Sequence, residues 1–123
     1  MIPKFRAWMK SLKWMCDVTN ISFDSKFLDI CYQGDTERYT EMSVEFDEIE
    51  LMQSTGLFDK NSKEIFEGDI VQFSDSLYTV FYDIKEGSYR LKPHDDRWVI
   101  DYMSNFSSEE SFEIVGNIYE NKE

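Results

Sequence analysis

The chain has 123 residues, 41% hydrophobic and 16% aromatic, which suits one folded domain or two very small ones sharing a core. Ten Phe, seven Tyr and three Trp exclude a disordered chain, because each buried ring removes roughly 150–250 Å² from water. Against 25 acidic residues stand 13 basic ones, so the net charge is −12 and nucleic acid, itself a dense anion, is not the expected ligand.

The first sixteen residues invert that balance, with Lys4, Arg6, Lys10 and Lys13 and no acid. Charges interrupt this start too often for the ~7–15 apolar residues of a secretory signal, and no run approaches the ~20 of a bilayer span. Cys16 and Cys31 have neither CxxC nor framework spacing. Reduced structural thiols, a cytoplasmic location in the host cell and no membrane contact are therefore expected.

Phe5, Trp8, Met9 and Leu12 carry the spacing of a helical face, yet Lys4-Phe5-Arg6-Ala7-Trp8 also alternates like a strand. In the second reading Lys10-Ser11-Leu12-Lys13 turns the chain into Trp14–Val18, and periodicity does not choose between the two. Ile21–Phe23 and Phe27–Tyr32 are short runs rich in β-branched and aromatic residues, parted by Asp24-Ser25-Lys26. Gln33-Gly34-Asp35 reads as a turn. Val44 and Phe46 alternate with acids, and Ile49 and Leu51 do so in the opposite phase. A bulge near Asp47 reconciles the phases, and a short helix over Glu41–Met52 is the alternative.

The second half is punctuated more clearly. Leu57, Asp59-Lys60-Asn61-Ser62 and Glu64-Ile65-Phe66 read as a hairpin, with Glu67-Gly68-Asp69 as a second turn before a strand over Ile70–Phe73. Ser74-Asp75-Ser76 leads into Leu77–Tyr82, and Lys85-Glu86-Gly87 leads into Ser88–Lys92. Pro93 and His94-Asp95-Asp96 end that strand. Trp98–Met103 is a strand or one helical turn, Ser107–Ser111 a polar loop, and Phe112–Tyr119 a closing strand kinked at Gly116. Strands 8–12 residues apart point to a small barrel or sandwich.

Reactive constellations are sparse. His94 beside Asp95 and Asp96 has the composition of a general base with orienting carboxylates, but its place after Pro93 favours a solvated turn. Three thiol or imidazole groups fall short of the about four ligands of a structural zinc site. Asp95, Asp96 and Asp101, like Glu45, Asp47, Glu48 and Glu50, cluster in sequence without an EF-hand pattern, and read as surface acid. Neither GxxxxGK[ST] nor GxGxxG occurs. No catalytic residue, metal ligand or cofactor is expected.

The stretch Leu51-Met52-Gln53-Ser54-Thr55-Gly56-Leu57-Phe58-Asp59-Lys60-Asn61-Ser62-Lys63-Glu64-Ile65-Phe66-Glu67-Gly68-Asp69-Ile70-Val71 resembles the signature of the YopX family, small proteins of bacteriophages and prophages. The opening Ile2-Pro3-Lys4-Phe5-Arg6-Ala7-Trp8 and the closing Phe112-Glu113-Ile114-Val115-Gly116-Asn117-Ile118-Tyr119-Glu120-Asn121 agree with it. The region from Asn20 to Glu50 is unmatched. Ser62 stands where the family usually has Gly, which leaves the turn type open, and Met9 stands where an acid commonly follows the Trp.

The resemblance implies a phage-encoded, mostly β fold with an antiparallel, SH3-like barrel over residues 51–123. It favours a hairpin over a helix at the start of an N-terminal β-rich region, residues 1–50, with at most one or two short helices. It brings no active residue with it. Thr55, Gly56, Leu57, Asp59, Glu67, Gly68, Asp69 and Gly116 read as architecture, the glycines permitting turns and the aspartates accepting backbone N–H groups. The expected function is that of a non-enzymatic phage accessory protein acting by self-assembly, as a homo-oligomer, and by contact with a host protein. A nucleic-acid-related SH3-like module and an acidic, DNA-mimicking inhibitor of a host DNA-binding protein are the alternatives.

Overall fold

The computed structural model describes residues 4–95, 97, 100–102 and 112–120. The expected loop Ser107–Ser111, half of Trp98–Met103, Asp96 and both chain ends lie outside the described residues. The protein is mostly β, as its patterning predicts, with two antiparallel sheets and no α-helix among the described residues. Its chain divides into two compact units, Met1–Gln53 and Ser54–Glu123.

The first unit settles the ambiguity at the start of the chain. Strands β1 (Phe5–Met9) and β2 (Trp14–Ser22) form a hairpin in which Ala7 faces Cys16 and Met9 faces Trp14. Alternation puts Ala7 and Met9 inside, while Leu12, which a helix would have buried, is 45% exposed in the turn. Strand β3 (Phe27–Tyr32) follows the Asp24-Ser25-Lys26 turn and pairs with β2, and β4 (Met42–Glu45) pairs with β3.

Val18 and Ile21 differ in parity, so a regular strand would send them to opposite faces. The register shifts between Val18 and Asn20, and both then pack on one core. That core holds Ala7, Met9, Cys16, Leu28, Ile30, Val44 and Ile49. The phase change after Val44 is made by a 3-10 turn over Phe46–Glu48, neither the bulge nor the helix weighed for this stretch. Reciprocal capping closes the turn, with the Glu45 N–H donating to Glu48 Oε2 at 2.7 Å. A turn wins because four acids within six residues, Glu45 to Glu50, are exposed or nearly so, and a helix would have to pack among them. Strand β5 (Ile49–Phe58) then pairs with β1 and carries the chain into the second unit.

Both cysteines are reduced and buried. Burial, reinforced by the neighbouring Cys31 and Asp17, pushes the Cys16 thiol up to about 11. A thiol that stays protonated at neutral pH is a poor nucleophile. A chromogenic disulfide reagent at pH 7.5 is expected to titrate neither cysteine within minutes in the native protein, and both after unfolding in urea. Prompt native labelling of Cys16 would contradict its burial.

In the second unit the end of β5 pairs with β6 (Glu64–Phe66). A five-stranded antiparallel sheet follows, in the order β10-β9-β8-β7-β11, from β7 (Asp69–Phe73), β8 (Ser76–Asp83), β9 (Ser88–Pro93), β10 (Asp101–Tyr102) and β11 (Phe112–Asn117). Alternate residues build its core across strand pairs. Val71 lies between Tyr78 and Ile114, Val80 faces Leu91, and Phe73 faces Phe112. Ile65 completes the cluster, with Leu57 packed against it. No ladder among the described residues closes this sheet into a full barrel.

Candidate functional site

The motif between Thr55 and Asp69 folds as two linked turns around buried carboxylates. Asp59, 4% exposed, immediately follows β5. Its Oδ1 accepts the N–H groups of Asn61 and Lys63, each at 2.9 Å, and its Oδ2 accepts that of Ile114 at 3.0 Å. Burial alone would push this carboxyl up, but the donors from Ile114, Lys63 and Asn61 outweigh it and hold Asp59 below the usual carboxylate range. A carboxylate so held stays ionised near neutrality and serves as an acceptor, not as an acid.

The Asp59 turn also answers the question left open at Ser62. The Ser62 N–H donates to the Asp59 carbonyl at 3.0 Å, and Ser62 takes φ 64°, the left-handed region. That conformation costs a side chain about 1–2 kcal/mol, and glycine removes the cost. After subtracting the larger entropy that glycine loses on folding, Ser62→Gly is expected to stabilise the protein by about 0.5–1 kcal/mol. Thermal unfolding followed by circular dichroism should show a midpoint raised by about 2–4 °C.

The other motif residues occupy defined places nearby. Thr55 Oγ1 donates to the Ile65 carbonyl at 2.8 Å and accepts the Leu57 N–H at 3.1 Å, tying β5 to β6. Gly56, at φ 81°, donates its N–H to Ser54 Oγ at 3.0 Å, and Ser54 in turn bonds Glu64. Gly68, at φ 85°, links three segments, since its N–H donates to the Val80 carbonyl and its own carbonyl accepts the Ile118 N–H, both at 2.9 Å. Asp69, 1% exposed, accepts the Phe66 N–H on Oδ2 at 2.8 Å. Glu67 sits beside Gly68, and its charge adds to burial in raising the Tyr89 phenol. Gly116 faces Ile70 just past the register shift that follows Ile114, where the kink in the last strand was expected.

Among the described residues the acids that cluster in sequence are engaged separately. His94 Nε2 lies 2.8 Å from Thr79 Oγ1, whereas Asp95 is engaged by Arg97 at 2.6 Å. Glu48 caps its own turn and Glu50 pairs with Lys10 at 3.5 Å. Among the described residues no three His, Cys, Asp or Glu side chains stand close enough to hold a metal ion.

Two polar features depend on pairings across strands, one of them between residues remote in the chain. The Tyr89 hydroxyl donates to the Ser54 carbonyl at 3.2 Å. Arg90 pairs with Asp83 at 2.9 Å, both side chains under a fifth exposed, and holds the Asp83 carboxyl below its ordinary range. Asp83 Oδ1 meanwhile accepts the Lys85 and Glu86 N–H groups, so one carboxylate shapes the hairpin turn and locks its stem. A carboxylate two residues before Lys85-Glu86-Gly87 was the only signal in the sequence.

Comparison with known proteins agrees with this architecture. The crystal structure of protein EF1440 from Enterococcus faecalis is similar at 30% identity and a TM-score of 0.65, covering 100% of this chain and 97% of that one. No curated protein matches the chain. The YopX protein family matches residues 4–123, and over nearly its whole length this chain therefore belongs to the YopX family.

Proposed function

We propose that this YopX-family chain is a non-enzymatic phage accessory protein that works by protein–protein contact in the host cytoplasm, assembling with itself and with a host protein. The observation that carries the reading is the end of the β8–β9 hairpin. Tyr82 is 43% exposed there and Ile84 87% exposed, and the Tyr82 ring lies 5.1 Å, centroid to centroid, from that of the half-buried Tyr89 in an edge-on pair. An exposed aromatic and an exposed aliphatic side chain at one hairpin end form a surface suited to a protein partner. The phage setting rests on the family resemblance of the central motif, and the motif's buried aspartates are occupied with backbone donors. A net charge of −12 turns partner choice toward basic surfaces, the feature shared with an acidic inhibitor of a DNA-binding protein.

Light scattering across protein concentrations, with crosslinking in host lysate, tests the reading. The parent protein is expected to show self-association and a discrete crosslinked host species, both weakened by Ile84→Lys combined with Tyr82→Ser. A monodisperse monomer with a lysate profile identical to that of the double variant would remove the proposal. A salt-sensitive complex with DNA would instead favour the nucleic-acid reading.

A further inference from the structure

The last strand of the second sheet shows how an edge is kept closed. Among the described residues β11 forms a ladder with β7 alone, and in such a pair alternate residues turn their N–H and C=O groups outward. Phe112 and Ile114 are the outward-turned residues. The Phe112 carbonyl accepts the Lys60 N–H at 2.9 Å, and the Ile114 N–H is taken by the Asp59 carboxylate at 3.0 Å. Lys60 Nζ also pairs with Glu113 at 3.2 Å. Two consecutive residues of a turn thus cover groups that would otherwise template another strand.

We propose that β11 is a guarded edge, a pairing surface for β11 of a second copy that the Asp59–Lys60 clip holds shut. The strand's own chemistry selects that occupant. Phe112-Glu113-Ile114-Val115-Gly116-Asn117 carries a single charge and a β-branched, aromatic core, the composition of a self-pairing segment. Antiparallel self-pairing centred between Ile114 and Val115 sets Glu113 opposite Gly116, so no like charges meet. Val115, 44% exposed, lies beside the centre of that pairing.

The full chain at physiological salt provides the test. Asp59→Asn is expected to speed hydrogen exchange of the Ile114 amide about 10–100-fold, as loss of a charge-assisted bond implies. Lys60→Pro frees the Phe112 carbonyl while sparing Asp59, at a turn position where proline is favoured. Both variants should show, by light scattering, a dimer fraction above the parent's that grows with concentration. Adding Val115→Lys should abolish the extra dimer, because a charge on an edge blocks strand addition. Should Asp59→Asn fail to fold by circular dichroism, Lys60→Pro alone decides. Unchanged molar mass in the folded variants, or association that survives Val115→Lys, would overturn the proposal.

Discussion

Asp59→Ala is expected to lower the unfolding free energy by about 3–5 kcal/mol, measured by urea denaturation followed by far-UV circular dichroism. Three backbone N–H groups, those of Asn61, Lys63 and Ile114, lose their acceptor at once. Each hydrogen bond to a charged group contributes about 1.5–3 kcal/mol, and shared geometry keeps the sum below simple addition. Asp59→Asn keeps one carbonyl oxygen and the side chain's shape, and should cost about 2 kcal/mol. A change below about 0.5 kcal/mol, typical of a surface substitution, would show that the carboxylate does not organise this turn.

The same residue has a signature in pH. Its folded carboxyl lies below the ordinary value, so the stability it contributes is fully present above the unfolded value of about 3.9 and is lost as pH falls through the folded one. The gap between parent and Asp59→Asn should therefore be constant from neutral pH to about 5 and shrink below about 4. Asp35, Asp83 and Asp95 are shifted the same way, by the Thr40 backbone N–H and by the Arg90 and Arg97 guanidinium groups respectively. They steepen the acid limb in both proteins alike, and the difference curve isolates Asp59.

Phe112→Ala is the second large effect, expected to cost about 3–5 kcal/mol. The ring is 1% exposed and packs against Phe73 with centroids 5.4 Å apart, at the end of the β7–β11 ladder. Removing it leaves a cavity in a cluster of Ile65, Val71, Val80 and Leu91, which β-sheet backbones on either side cannot collapse to fill. Phe112→Leu keeps most of the volume and should cost under about 1.5 kcal/mol. If alanine and leucine variants unfold at the same urea concentration, the ring is not a core element.

Much of this architecture was written locally. Turns at Asp24-Ser25-Lys26, Asp59–Ser62, Glu67-Gly68 and Lys85-Glu86-Gly87 lie where the sequence places them. The reason is that a short polar side chain or a glycine biases its own backbone whatever surrounds it. Strands such as β7 to β9 were equally readable, because period-2 alternation is a property of one segment. The first hairpin was different. Phe5, Trp8, Met9 and Leu12 satisfy a helix as well as a strand, and the choice falls to β5, which pairs with β1 in partners such as Phe5 and Gln53, far apart in sequence. Position 47 is ambiguous in sequence for a related reason, since a bulge and a 3-10 turn both reset the phase of a strand. The Glu45–Glu48 capping that separates them is visible only in three dimensions.

The sequence by itself determined the β class, the turn positions, the acidic surface and membership of a family, since these rest on residue chemistry within a few positions. Asp59 and Asp69 read as backbone acceptors from their turns, but tertiary structure alone decided which carboxylates are buried and which face water. Asp59 and Asp95 both precede short polar stretches, yet one is sealed against Ile114 and the other bound to exposed Arg97. Burial and the donors that compensate it come from strands brought together by folding, and no pattern along the chain records them.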